Sequence, residues 1–390
     1  MRQGLKRTLT WGMRLALALG LAVVVVGLWN RDALMRLQAV NTLFAQDRIV
    51  ANFSAMDQLF DTAPVPKGAT PVTPLPQGAD ISLPTGFDAW LTRRAVTGIV
   101  VLRNGDIVHE GYHLGTTQDD RRISWSVAKS YISALFGVLL DQGAIASLDD
   151  PVTRYAPSLI GSAYEGATLR QVLQMSSGVA FNEDYFDFWS DINKMGRVLA
   201  LGGSMDAFAA GQDSRFQAPG TGFQYVSIDT HVLSMVVRGA TGRSIPELLS
   251  EHIVQPMGLE RAPYYVTDGY GVAFVLGGLN LTTRDYARMG QMFLNDGVYN
   301  GRQIVPADWV RASTAPSART APGRIQYGYQ WWIPADAPQG EFLARGVYGQ
   351  FIYINRATQT VIALNSADRA FRADGAFDDV LTMLRALSQP

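Results

Sequence analysis

Residues 123–131 read ISWSVAKSY, with Ser126 and Lys129 three apart in an otherwise mostly apolar stretch. From here the chain takes on helical spacing: Val127, Ile132, Leu135, Phe136 and Leu139 form a stripe that ends before Gly143. On a helix, positions i and i+3 share a face, so the serine and the lysine can touch. The pair admits two readings. One is an N-capping serine at the opening of a buried helix, with an incidental lysine. The other is a nucleophile with its base, since a serine hydroxyl attacks poorly until a base takes its proton.

Composition weighs on that choice. Of 33 basic residues only four are lysines (Lys6, Lys67, Lys129 and Lys194), which leaves 29 arginines. Where positive charge alone is wanted, this chain uses arginine. A lysine inside an apolar helix start calls for a reason, and chemistry supplies one: a desolvated lysine loses its proton, whereas arginine in practice does not.

The 390 residues allow one large domain with an extra segment, and 47% hydrophobic against 17% charged residues is enough for a sizeable core. A net charge of −1 gives no sign of a nucleic-acid or acidic partner. The absence of cysteine excludes disulfides, thiolate metal sites and a cysteine nucleophile.

At the N-terminus Arg2, Lys6, Arg7 and Arg14 precede fifteen uninterrupted apolar residues, Leu15 to Trp29, with no Ala-x-Ala cleavage site after them. The expectation is a membrane anchor over residues 1–30, with a cleaved signal as the alternative. The basic flank stays inside, so the remainder is exported to the periplasmic side. Residues 31–94 read as a tether, partly helical and then rich in proline and glycine through PVPKGATPVTPLPQGADISLP (65–85). The body is expected over 95–390. TGIVVLRNGDIVHEGYHL (97–114) is a hairpin around Asn104-Gly105. Residues 327–334 and 347–366 supply further antiparallel strands. Strands at both ends around a helical middle predict an α+β body: an antiparallel sheet from about 95–140 and 305–390, flanked by helices, with a mainly helical lobe inserted over about 141–304. There is no internal repeat.

One string is a decoy. His109-Glu110-Gly111-Tyr112-His113 matches the His-Glu-x-x-His pattern of zinc proteases, which requires a helix to bring both histidines to one metal. Here it falls on the second arm of the hairpin, where the histidines would lie about 13 Å apart. No metal and no cofactor are expected. His231 and His252 have no Gly-x-Ser-x-Gly elbow to serve and read as packing or surface residues.

Two later stretches give Ser126 company. PGTGFQYVSIDTHVLSMVV (219–237) carries Tyr225-Val226-Ser227 after a glycine turn, and FLARGVYGQFIYINRATQTVIALNS (342–366) carries Ala344-Arg345-Gly346 on a strand. In this order the motifs resemble those of the serine β-lactamase and D,D-peptidase superfamily, with Ser-x-x-Lys, Tyr-x-Asn or Tyr-x-Ser, and Lys-Thr-Gly or a substitute. Within it the chain looks most similar to class C-like esterases and to 6-aminohexanoate-dimer (nylon-oligomer) hydrolases. TLRQVLQMSSGVAFNEDY (168–185) and residues 277–310 resemble further parts of that pattern, and the likeness covers about 95–385.

The resemblance implies roles. Ser126 would be the acylated nucleophile, Lys129 its base, Tyr225 a proton relay to the leaving group, and Ser227 a support for the lysine network. The backbone N–H groups of Ser126 and Val347, the residue after Gly346, would form the oxyanion hole, each typically contributing roughly 3 kcal/mol. Tyr185, Asn280, Gly346 and Gln350 are candidates for the substrate pocket. At the third motif the sequence departs from the β-lactamases: Ala344 replaces the lysine and Arg345 the threonine. That weakens the lactam and cell-wall peptide readings and favours an amidase or esterase acting on small linear substrates. A D,D-peptidase or weak β-lactamase, a membrane-tethered sensor that acylates without turnover, and a domain with a dead site remain as alternatives.

Overall fold

The computed structural model describes residues 2–389. The N-terminal helix Arg2–Trp29 leads through Asn30 into the helix Arg31–Thr42. Its segment Trp11–Trp29 is long and apolar enough to cross a membrane, and none of it is buried against the protein. The body is α+β. Seven antiparallel strands run in the order Asp106–Tyr112, Val96–Arg103, Thr360–Ser366, Gln350–Asn355, Glu341–Gly346, Trp332–Ile333 and Gln326–Tyr327. The two chain ends therefore share one sheet, as the distribution of strand patterns predicts. Asn104 and Gly105 both take positive φ (52° and 93°), the geometry of a tight hairpin turn.

Both faces of the sheet are covered, which is why its central strands read as continuous apolar runs rather than alternating ones. Ile99, Val101, Ile362 and Leu364 pack under the helices Phe87–Arg93 and Ala376–Ser388. Val100, Leu102, Val361 and Ala363 face the opposite side and join the main core. There the helix Thr283–Leu294, which the sequence reading assigns to the helical lobe, lies on the sheet instead. It comes so close that a Cβ on Gly290 would sit 2.4 Å from Val361 Cγ1.

A second sheet of four short strands is ordered Thr62–Pro64, Tyr264–Val266, Leu279–Leu281 and Arg122–Ile123. Its first strand comes from the stretch expected to be a tether. Residues 31–94 in fact run over the body: Leu43, Ile49, Phe53, Met56 and Val65 are core residues, and Gly78 N–H donates to Ile107 O. Proline and glycine signal the lack of regular structure but not the lack of packing. The apolar residues between them supply the burial that holds the segment down.

Candidate active site

Ser126 lies where the two sheets approach each other. The small sheet delivers it: Arg122–Ile123 pairs with Leu279–Leu281, and Ser124 N–H donates to Leu279 O at 2.8 Å. Trp125 then turns the chain through a left-handed conformation (φ 42°), and Ser126 sits in a single 3₁₀ turn that runs into the helix Ala128–Asp141. Its N–H is thus among the free donors of a helix start. From the other side the strand Glu341–Gly346 passes so close that a Cβ on Gly346 would sit 2.7 Å from Ser124 O and 3.1 Å from Ser126 N. Only glycine permits that approach, and it places Val347 beside Ser126 on the wall of the same cavity.

One helical turn after Ser126, Lys129 is fully buried and its Nζ donates to Leu276 O at 3.1 Å. The same Nζ lies 5.5 Å from the centre of the Tyr225 ring. Burial lowers the lysine pKa to about 7, against the opposing pull of Glu183 and Asp229. The ammonium is therefore poised to titrate in the neutral range. Tyr225 stacks on Trp332 at 5.1 Å, and its phenol faces the side chain of Ser126. Burial raises the phenol pKa well above the usual value, so it stands as a proton carrier in its neutral form.

Ser227 opens the helix Ser227–Thr241 and donates its backbone N–H to Glu183. No hydrogen bond joins it to Lys129 Nζ, and the Glu183 carboxylate it holds acts on the lysine through its charge. Glu183 also accepts from Tyr185 OH at 3.2 Å, and burial raises its pKa. Asp229, one turn after Tyr225, is fully buried and accepts from Tyr164 OH at 2.7 Å and Ser177 Oγ at 2.8 Å. Burial pushes its pKa up to about 7. Lys129, Glu183 and Asp229 form one electrostatic group, and the two acids are absent from the residues singled out by sequence motif. Asp229 left a trace, as an acid inside an apolar helical stripe four residues after the tyrosine. Glu183 left none, because an acid in FNEDY looks like an ordinary loop residue.

Of the four pocket candidates, Tyr185 and Gly346 line cavities that reach Ser126. Asn280 does not: it is buried in the small sheet, with Nδ2 donating to Gly278 O at 2.8 Å. Gln350 is likewise internal, donating to Ser366 O at 2.7 Å and accepting from Asn365 Nδ2 at 3.1 Å, which fixes the turn that carries Val347. The His-Glu-x-x-His string lies on the strand Asp106–Tyr112 up to its last histidine, His113, which follows the strand end, and Glu110 is held in a two-pronged pair with Arg284 at 2.8 and 2.7 Å.

A profile of the family described as Beta-lactamase matches residues 87–386. The 6-aminohexanoate-dimer hydrolase of Paenarthrobacter ureafaciens is 32% identical over 329 residues, covering 80% of this chain and 83% of that protein. Among solved structures, a Bacillus anthracis protein that carries the same designation provisionally superposes with a TM-score of 0.78 at 24% identity. It covers 89% of this chain and 95% of its own. A D-stereospecific amidohydrolase from Streptomyces superposes with a TM-score of 0.56 at 18% identity, covering 74% of this chain and 98% of its own. At those identities the solved structures carry the fold.

Proposed function

We infer that this chain, which belongs to the beta-lactamase family, is a serine hydrolase that forms an acyl-enzyme on Ser126 and cleaves amide or ester bonds of small linear substrates. The observation that carries this reading is the buried Lys129 beneath Ser126, with a pKa brought down to about 7 by burial. A lysine poised there is a usable base at neutral pH.

The steps follow from the positions of the groups. Ser126 Oγ attacks the acyl carbon as its proton passes to Lys129. The developing oxyanion is held by the N–H groups of Ser126 and Val347. The bond to the leaving nitrogen or oxygen breaks, and that atom takes a proton from Tyr225, which regains one from Lys129. Water then attacks the acyl-enzyme, giving up a proton through the same groups, and the carboxylic acid leaves with the serine hydroxyl restored. Ser227 fixes Glu183, whose charge acts on Lys129.

The Paenarthrobacter relative is named a 6-aminohexanoate-dimer hydrolase, and two amino acids joined head to tail share an amide, which supports an amide substrate. The apolar helix supports an anchor, with Arg2, Lys6, Arg7 and Arg14 on the inner side and the body exported. Labelling with a fluorophosphonate and turnover of p-nitrophenyl acetate test the reading. Both are expected in the intact protein and lost in Ser126→Ala; full turnover in that variant would remove Ser126 from the reaction.

A further inference from the structure

Ser126 stands at the junction of two chambers, of which only one holds charged side chains. The first is a cavity of about 120 Å³ walled by Leu43, Phe44, Met195, Leu199, Leu276 and Tyr348, with no charged side chain in its lining. The second is an open cleft of about 290 Å³ that contains Glu183, Tyr225, Trp332, Arg345 and Arg372. Ser126, Tyr185 and Val347 border both.

Tyr225 decides which arm of a substrate enters which chamber. A group that protonates the leaving atom must lie within hydrogen-bond reach of it. Tyr225 lines only the cleft, so the leaving arm extends there and the acyl arm is left with the apolar cavity.

We propose that the preferred substrate joins a short, unbranched, uncharged acyl chain of about six carbons to a leaving arm that carries an anionic group. This rests on the acyl-enzyme reading above. Volume bounds the chain length, since a cavity of about 150 Å³ accepts the six carbons of benzene and this one is about 120 Å³. The lack of charge follows from the lining, where a terminal ammonium would be buried with no carboxylate to meet it. The anionic arm follows from the cleft. Arg345 lies over the Phe377 ring at 4.2 Å, and no carboxylate reaches it at ion-pair distance among the described residues. Arg372 beside it donates to Glu183 O at 3.5 Å and lies 4.0 Å from Asp184. The Glu183 carboxyl itself is turned to Ser227 N–H and Tyr185 OH, which leaves Arg345, with Arg372 adding positive charge beside it, to receive a carboxylate.

The substrate chemistry is read from kcat/KM of the full chain on acetyl-, hexanoyl-, dodecanoyl- and 6-aminohexanoyl-glycine and on hexanoyl-glycinamide. Each buried methylene is worth about fourfold. Hexanoyl-glycine is therefore expected to exceed acetyl-glycine by at least about 30-fold, and to exceed both the 6-aminohexanoyl compound and the glycinamide by at least about tenfold. Dodecanoyl-glycine should gain nothing further. Gly196 lines the cavity, and a Cβ there meets open space. Gly196→Leu should therefore fill the chamber and bring the hexanoyl-to-acetyl ratio close to one, with thermal unfolding reporting that the variant is folded. A preference for 6-aminohexanoyl or dodecanoyl chains, equal rates on the glycinamide, or an unchanged ratio in folded Gly196→Leu overturns the proposal. Fluorophosphonate labelling in the same samples separates that outcome from failure of the hydrolase reading, in which neither label nor turnover of any substrate appears.

Discussion

Gly346→Ala tests the oxyanion site without touching any side chain of the proposed machinery. The added Cβ would meet Ser124 O at 2.7 Å, where ordinary carbon–oxygen contacts lie at about 3.3–3.6 Å. The tightest neighbour is a backbone atom, and the others, Gln350 Cβ and Ser126 N at 3.1 Å, are as firmly fixed, so the strand Glu341–Gly346 has to withdraw by roughly 0.6–0.9 Å. Val347 N–H moves with it. A misplacement of about 1 Å costs on the order of 100-fold in rate, and loss of one oxyanion donor costs about the same or more. The expected result is a fall of roughly 30- to 100-fold in kcat on p-nitrophenyl acetate, matched by slower fluorophosphonate labelling. Overpacking should also cost about 1–3 kcal/mol of stability, visible as a lower Tm. Because Gly346 does not have positive φ, its backbone conformation is open to alanine and the effect is steric alone. A variant with kcat within threefold of the parent and unchanged Tm would refute the proposed donor at Val347.

Two further tests address the base and the N-terminal segment. If neutral Lys129 takes the serine proton, kcat/KM should fall as the pH drops through about 7, by up to tenfold per unit, because protonation removes the base. Lys129→Arg should lose roughly 100- to 10,000-fold at every pH, and a flat profile in the parent would exclude the lysine as base. A chain beginning at residue 95 should fail to fold, whereas one beginning at residue 31 should fold. The five core side chains between Leu43 and Val65 contribute about 1.5–3 kcal/mol each, comparable to the whole stability of a domain. A cooperative thermal transition in the shorter protein would overturn that expectation.

Much of the site was legible because its chemistry depends on local spacing. Ser126 and Lys129 share a helix turn, Tyr225 and Ser227 flank a helix start, and Gly346 ends a strand. Each is a short-range pattern, and their order along the chain supplied the context. What escaped notice depends on contacts between distant segments. Glu183 matters because a loop folds over Lys129, and Phe44 because it stacks on Tyr348 at 4.6 Å beside the serine turn. Asn280 and Gln350 misled for the converse reason: polar residues near motif positions were spent on internal hydrogen bonds. The role of residues 31–94 was hidden because loop composition reports local conformation, and packing is decided elsewhere.

The single residue Asn30 between the apolar helix and the helix Arg31–Thr42 has a mechanical consequence. A flexible segment spanning 31–94 would have let the catalytic body roam over roughly 45 Å. The joint that exists has no such slack. Val40 and the chamber it helps to wall lie only about 15 Å along the helix from Asn30. Were the apolar helix seated in a bilayer, the chamber would be held at a nearly constant height above the lipid. Encounters with amphiphilic molecules would then become a search across a surface rather than through a volume.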